Sequence, residues 1–206
     1  MFMKFRFFLF ILLINSCLFS NERDISFNEC LQVELLKMCE EEQDLRKKWI
    51  YAEDEETKLE FQQKVMHIDD YHLRRLKEII KEYGWPGYSL VGSKGSNAFW
   101  LLVQHTPDYA FQAECLEYLE QAVLDNNASK IDLAYLKDRV YMYAGKQIYG
   151  TQLNADLTPY PIEDEDHINQ RRQEVGLPTI EEYLKFTREM FRESILYSKE
   201  KDNDSS

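Results

Sequence analysis

"QIYGTQL" (147–153) interrupts a chain that otherwise reads as one helix after another. Whether these seven residues form a strand decides whether the fold contains a sheet. The stretch is too short and too polar for an ordinary buried strand. On extended backbone Ile148, Gly150 and Gln152 face one way, and Gln147, Tyr149, Thr151 and Leu153 the other. Gly150 lets a second backbone or a ligand approach closely. The stretch is therefore read as a short lip beside a buried helix. Tyr149, Thr151 or Gln152 would then face a pocket shared with His105. The expected fold is mainly α: a helical bundle with a long N-terminal helical hairpin and at most one short extended or two-stranded element.

Upstream, the distribution of helix breakers sets the organisation. All seven glycines and all five prolines fall after residue 83, so the N-terminal part is free to form long helices. Leu31, Leu35, Met38, Leu45 and Trp49 make one helical stripe, and Val65, Ile68, His72, Leu76, Ile79 and Tyr83 a second. The acidic "AEDEE" (52–56) is the turn between them, giving a hairpin over 28–83. "GWPGYSLVGSKGS" (84–96) holds four glycines and one proline and reads as a shaped connector. It lacks the glycine order of a dinucleotide or P-loop site.

The main helical domain is expected over 84–197. "NAFWLLVQH" (97–105) is apolar on every side and should be buried. Thr106 and Pro107 restart helix. "SKID" (129–132) opens another with a capping box, and Gly145 stops it. Gly176 ends a helix through "HINQRRQEV", "TIEE" (179–182) caps the last, and 198–206 is expected to be a disordered tail.

The two ends and the composition bound the setting. "MFMKFR" followed by "FFLFILLI" is a basic start and an apolar run far shorter than the roughly 20 residues a membrane span needs. Residues 1–20 read as a secretory signal. "INSC" offers Cys17 as a lipidation site, against ordinary cleavage near Ser16–Ser20 or an uncleaved anchor. Export places the protein in the periplasm or at the cell surface, with the membrane touched only through the signal or lipid. Losing residues 1–16 removes Lys4 and Arg6, so 25 basic residues become 23 against 37 acids and the net charge goes from −12 to −14. Such a surface repels phosphate backbones, which argues against nucleic acid as a partner. Cys30 and Cys39 lie too far apart along one helix to bond, so no disulfide framework is expected.

Five blocks occur in order: "GWPGYSLVGSKGSNAFWLLVQH", "LAYLKDRV", "QIYGTQL", "PIED" and "RRQEVGLP". Together they resemble a family of bacterial proteins known as a domain of unknown function, over roughly residues 30–186. The resemblance implies a compact helical domain, often in exported or cell-surface settings. It implies no activity.

Candidate chemistry rests on the residues themselves. His105 ends a buried helix, where the carbonyl dipoles favour the imidazolium and a titration near neutral pH. The plain alternative is a structural histidine bonded to a backbone carbonyl. Gln104 beside it is expected to satisfy buried backbone groups. Arg139 flanks the stripe of Leu133, Leu136 and Val140, whereas Asp138 is read as pointing away from it. Arg139 would tie a loop down through Glu163 or Asp164, or hold a ligand carboxylate. Arg171 and Arg172 are read either as an anion-binding pair or as neutralising the "EDED" stretch. "HIDDYH" (67–72) offers His67 with Asp70, or Asp69 with His72, as two-ligand pairs, but the solvated helix is the better reading and neither metal nor cofactor is expected. Ser93 and Ser96 sit near a helix start and read as caps rather than nucleophiles.

Two function classes follow. The favoured one is a non-catalytic binding or interaction module, taking a protein, peptide or glycan in a groove lined by Trp85, Tyr149 and Gln152. The alternative is a hydrolase-like enzyme with His105 as general base and Arg139 or Arg171 holding an anionic group.

Overall fold

The computed structural model describes residues 26–204, with side chains through 192. Among the described residues the chain forms seven α-helices. The first two make the hairpin: α1 (Glu29–Ile50) and α2 (Glu55–Tyr83). Asn28 caps α1 by accepting from Leu31 N–H at 3.0 Å, and Asp54 caps α2 by accepting from Thr57 N–H at 2.8 Å. The fold is mainly α, as expected.

The next helix departs from expectation. The glycine-rich segment is not a connector, because α3 (Tyr88–His105) begins inside it and bends at Gly92, which has φ 68°. The reason lies in packing. The Gln32 side chain of α1 donates to Val91 O at 2.8 Å, and Asn28 N–H to Leu90 O at 2.7 Å. A Cβ on Gly92 would stand 3.1 Å from Gln32 Nε2. The glycines let α1 ride directly on the α3 backbone. Ser96 is likewise not a cap. It is buried, and its Oγ accepts from the Trp85 indole at 3.2 Å.

Then follow α4 (Tyr109–Leu124) and α5 (Lys130–Met142). Asp108, not Thr106, caps α4, accepting from Phe111 N–H at 3.0 Å while Thr106 Oγ1 accepts from Asp108 N–H. Ser129 caps α5 as expected, at 3.1 Å from Asp132 N. A 3-10 turn (165–167) leads into α6 (Ile168–Val175), closed by Gly176 at φ 84°. The last helix, α7 (Ile180–Asp204), opens with the reciprocal Thr179–Glu182 box. It runs through most of the segment expected to be a tail, whose Lys and Glu residues favour helix.

One apolar core joins helices α1 to α5. Leu35 of α1, Leu76 and Ile79 of α2, Phe99 and Val103 of α3, Leu119 of α4 and Leu136 of α5 are each almost wholly buried in it. Burying such side chains contributes about 1.5–3 kcal/mol each before chain entropy is counted. Trp85 stands edge-on to Phe99, with ring centroids 5.1 Å apart. Cys30, Cys39 and Cys115 are unpaired. No helix among the described residues is long and apolar enough to cross a membrane. The signal segment 1–20 and Cys17 lie outside the described residues.

"QIYGTQL" forms no strand. Two isolated bridges, Gln147 with Ile162 and Leu153 with Pro159, are all the pairing it makes. Side chains hold it instead. Asp138 is wholly buried, and its carboxylate accepts from the N–H groups of Ile148 (2.7 Å), Tyr149 (2.9 Å) and Thr151 (2.8 Å) and from Thr151 Oγ1 (2.9 Å). The carbonyls are taken from the other side. Arg171 donates to Ile148 O, Arg172 to Tyr149 O, and the Tyr183 hydroxyl to Thr151 O. Gln147 closes the ends by donating to the carbonyls of Gln152 and Tyr160 and accepting from Gln152 N–H, each at 2.9 Å. Gly150 has φ 70°, and a Cβ there would stand 2.8 Å from Ile180 Cδ1. Only glycine fits.

Candidate functional site

The clasp uses several residues that the sequence had offered to a ligand. Asp138 does not point away from the core; it is the anchor of the 147–152 loop, and Arg139, its neighbour, does not tie that loop. Arg171 holds the carbonyls of Glu163 (2.6 Å) and Asp164 (2.9 Å), while Arg172 is wholly buried, donating to Pro178 O at 2.6 Å and stacking over Tyr183. Arg171 also faces the Asp164 carboxylate at 3.5 Å, so it neutralises part of the "EDED" stretch, and Arg172 is sealed from solvent with its Nη2 unpartnered. Thr151 and Gln152 are buried in the clasp, and Trp85 is buried in the core. A groove lined by Trp85, Tyr149 and Gln152 therefore has no offered side chains. Tyr149 is half-buried, its phenol pushed up by burial and packed with the clasp.

A different set of residues surrounds a cavity of about 320 Å³ between the hairpin and the α3–α5 end of the molecule. Arg46 and Trp49 of α1 and Val65, Met66 and Asp69 of α2 line one side. Gln104 and His105 at the end of α3, Pro107, Tyr109 and Gln112 of the α3–α4 junction, and Arg139 and Tyr143 of α5 line the other. None of Tyr149, Thr151 and Gln152 belongs to this lining. The α3 terminus is fixed there because Gln112 Nε2 donates to three of its carbonyls, Val103 (3.2 Å), Gln104 (3.3 Å) and Thr106 (3.1 Å). These are carbonyls that a helix end leaves without intrahelical donors.

Behind His105 stands Glu42, which the sequence reading missed. Its side chain is 0% exposed. Its Oε1 lies 2.8 Å from His105 Nδ1 and also takes the Arg46 guanidinium, while Oε2 accepts from Gln43 Nε2 at 2.6 Å. Arg46 continues to Asp69 at 2.7 Å. The signal for Glu42 was present: it sits seven residues from both Leu35 and Trp49, an acid on an apolar stripe. The imidazole and Glu42 are close, but not aligned as a hydrogen bond.

Nδ1 is buried while the side chain is 23% exposed, so the ring meets the cavity by its other edge. Burial first, then the Arg46 and Arg139 guanidiniums, hold the imidazole down at about 4, against the pull of Asp69. This corrects the expected titration near neutral pH, because desolvation and two cations outweigh the helix terminus. Burial likewise raises Asp69 and lowers Arg139.

Arg139 lies in the cavity wall rather than on a loop carboxylate. Its Nε donates to Gln104 Oε1, and no carboxylate pairs with it among the described residues. Gln104 is 4% exposed, and its Nε2 has no partner. Its expected role, satisfying backbone, belongs to Gln112 instead. Tyr109 and Tyr143 close this end, with ring centroids 4.0 Å apart and the Tyr143 phenol pushed up to about 12 by burial and by Tyr109.

The remaining candidates fall elsewhere. His67 lines a shallow outer groove of the hairpin with Leu45 and Lys64. His72 is 2% exposed, and both of its ring nitrogens lack partners. Among the described residues no three His, Cys, Asp or Glu side chains stand together as a metal site. Ser93 is exposed on α3.

Among the described residues the fold is all-helical, with a polar, half-enclosed cavity at the junction of its hairpin and helices α3–α5. The chain belongs to the family of unknown function DUF6624, whose model matches residues 29–194. No curated protein and no solved structure matches it.

Proposed function

We propose that the cavity binds a small ligand and that Glu42 and His105 act on it as a general-base pair. The observation that carries this is the wholly buried Glu42 carboxylate 2.8 Å behind an imidazole whose other edge meets the cavity. A carboxylate at Nδ1 favours the Nδ1–H tautomer and leaves the Nε2 lone pair for a substrate hydroxyl or water. Arg139 and the free Gln104 amide supply donors to an anionic oxygen. Titratable groups shifted by burial and specific partners inside a cleft support the same reading. The basic, apolar N-terminus supports export, to the periplasm or cell surface, as the setting in which the site works.

Acylation of the imidazole by diethyl pyrocarbonate at pH 6–7, mapped by mass spectrometry, tests the pair. Exposed His67 serves as internal reference. His105 is expected to react, and Glu42→Gln to slow it several-fold while His67 is unchanged. Equal His105 rates with and without the Glu42 carboxylate would overturn the proposal. Ligand binding that survives His105→Ala without any turnover in the wild type would leave a binding module.

A further inference from the structure

The charges and walls of this cavity also define what fits it. Arg46 is neutralised by two carboxylates, Glu42 and Asp69. Arg139 is the one cation in the lining without an acid among the described residues, and beside it stands the unpartnered Gln104 Nε2, on a side chain 4% exposed. Donors without acceptors at one end call for an anionic oxygen there. One uncompensated guanidinium matches one negative charge. A second charge would face Glu42 and Asp69 at low dielectric, where like charges repel strongly. On the hairpin side, Trp49, Val65 and Met66 add apolar surface to the same space beside the polar Arg46, Gln62 and Asp69. A volume of about 320 Å³ is at the low end of ligand sites.

We infer that the site takes a small amphipathic monoanion, its carboxylate on Arg139 and Gln104 and its apolar body against Trp49, Val65 and Met66. This rests on the reading of the cavity as a ligand site. It carries a consequence for the base as well. Arg139 is one of the two cations holding the His105 imidazole down. A bound carboxylate offsets that cation, so the imidazole becomes more basic when the site is filled. The empty protein keeps His105 a weak base, and the ligand's own charge strengthens it.

The test uses the full chain and a probe series at constant ionic strength: butanoate, hexanoate and octanoate, with hexylamine and hexan-1-ol as charge controls. Binding is read by the Met66 methyl resonance and by the thermal midpoint. Hexanoate should bind saturably and at least tenfold more tightly than hexylamine or hexan-1-ol, and more tightly than butanoate. Arg139→Gln should remove the preference for the anion. Trp49→Ala should flatten the dependence on chain length while the anion preference stays. A histidine-labelled sample should show the His105 titration move up in pH when hexanoate is bound. Equal binding of acid and amine, no saturable binding of any acid, or hexanoate binding untouched by both substitutions would overturn the inference. Glu42-dependent acylation of His105 persisting in that case would leave the general-base proposal standing. Hexanoate binding with Glu42-independent acylation would do the reverse.

Discussion

The clasp and the cavity are built from the same kinds of residue and end in opposite states. Around residues 147–152 a buried aspartate, a buried arginine and a buried glutamine take up nearly every backbone group they face. Around His105 a buried glutamate, an arginine and a buried glutamine leave donors over: Gln104 Nε2 has no partner and Arg139 has no acid among the described residues. An unsatisfied buried polar group costs about 1–3 kcal/mol. The clasp also leaves one such atom, Arg172 Nη2, but seals it inside the chain, whereas the leftover donors around His105 belong to the lining of a cavity.

That contrast is breakable, and the largest effect should come from the clasp. Asp138→Ala removes the acceptor of three N–H groups and one hydroxyl and leaves Arg172 buried opposite. A loss of about 3–5 kcal/mol is expected in urea unfolding. A loss under about 1 kcal/mol would mean the loop is held by its neighbours rather than by the carboxylate. Gly150→Ala comes next, expected to cost about 2–3 kcal/mol, because φ 70° and a Cβ 2.8 Å from Ile180 Cδ1 must both be relieved.

Acid should loosen the hairpin and the cavity. Burial lowers the folded pKa of His72 and His105, the latter to about 4, whereas an unfolded histidine titrates near 6.5. The unfolded chain therefore takes up protons first as pH falls. The stability these neutral rings contribute is complete above about pH 6.5 and declines toward about pH 4. Glu41 beside His72 and Asp69 near His105 oppose the shifts, and the raised Asp69 and Asp132 favour the fold at the acid end. The difference in thermal midpoint between wild type and His72→Leu across pH 7 to 4.5 isolates one ring. It should narrow the acid loss. At pH 7 the same substitution should lie within about 1 kcal/mol of wild type, since both nitrogens lack partners that could be lost.

The smallest effect belongs to the site. Arg139→Ala is expected to change stability by less than about 1 kcal/mol in either direction, since relief of a desolvated guanidinium offsets the donor that Gln104 Oε1 loses. A drop as large as that of Asp138→Ala would place Arg139 with the structural residues and erase the contrast.

Much of this molecule was legible in its chain. The hairpin stripes, the Ser129 and Thr179–Glu182 boxes, the Gly176 stop and the mainly α character depend on neighbours three or four residues away, and sequence carries those relations directly. The glycine segment 84–96 was misread because glycine density signals a loop, while here it lets α1 rest on α3. Asp138 and Arg139 were exchanged because adjacent residues on a helix differ by about 100° in direction, and which of them meets a partner depends on elements distant in the chain. Of the cavity, His105, Gln104 and Arg139 were already singled out, but Glu42 was not, and Arg139 was given the wrong partner.

The sequence by itself determined the helices, their caps and stops, and the acidic balance, because periodicity, capping and charge are properties of short windows. Only the tertiary structure decided which polar residues are used up. Gln104 and Gln152, Arg139 and Arg172, Glu42 and Asp138 are chemically matched pairs. Packing against helices far along the chain seals Arg172 and Gln152 into the clasp and leaves Arg139 and Gln104 lining a cavity, beside the carboxylate that backs His105.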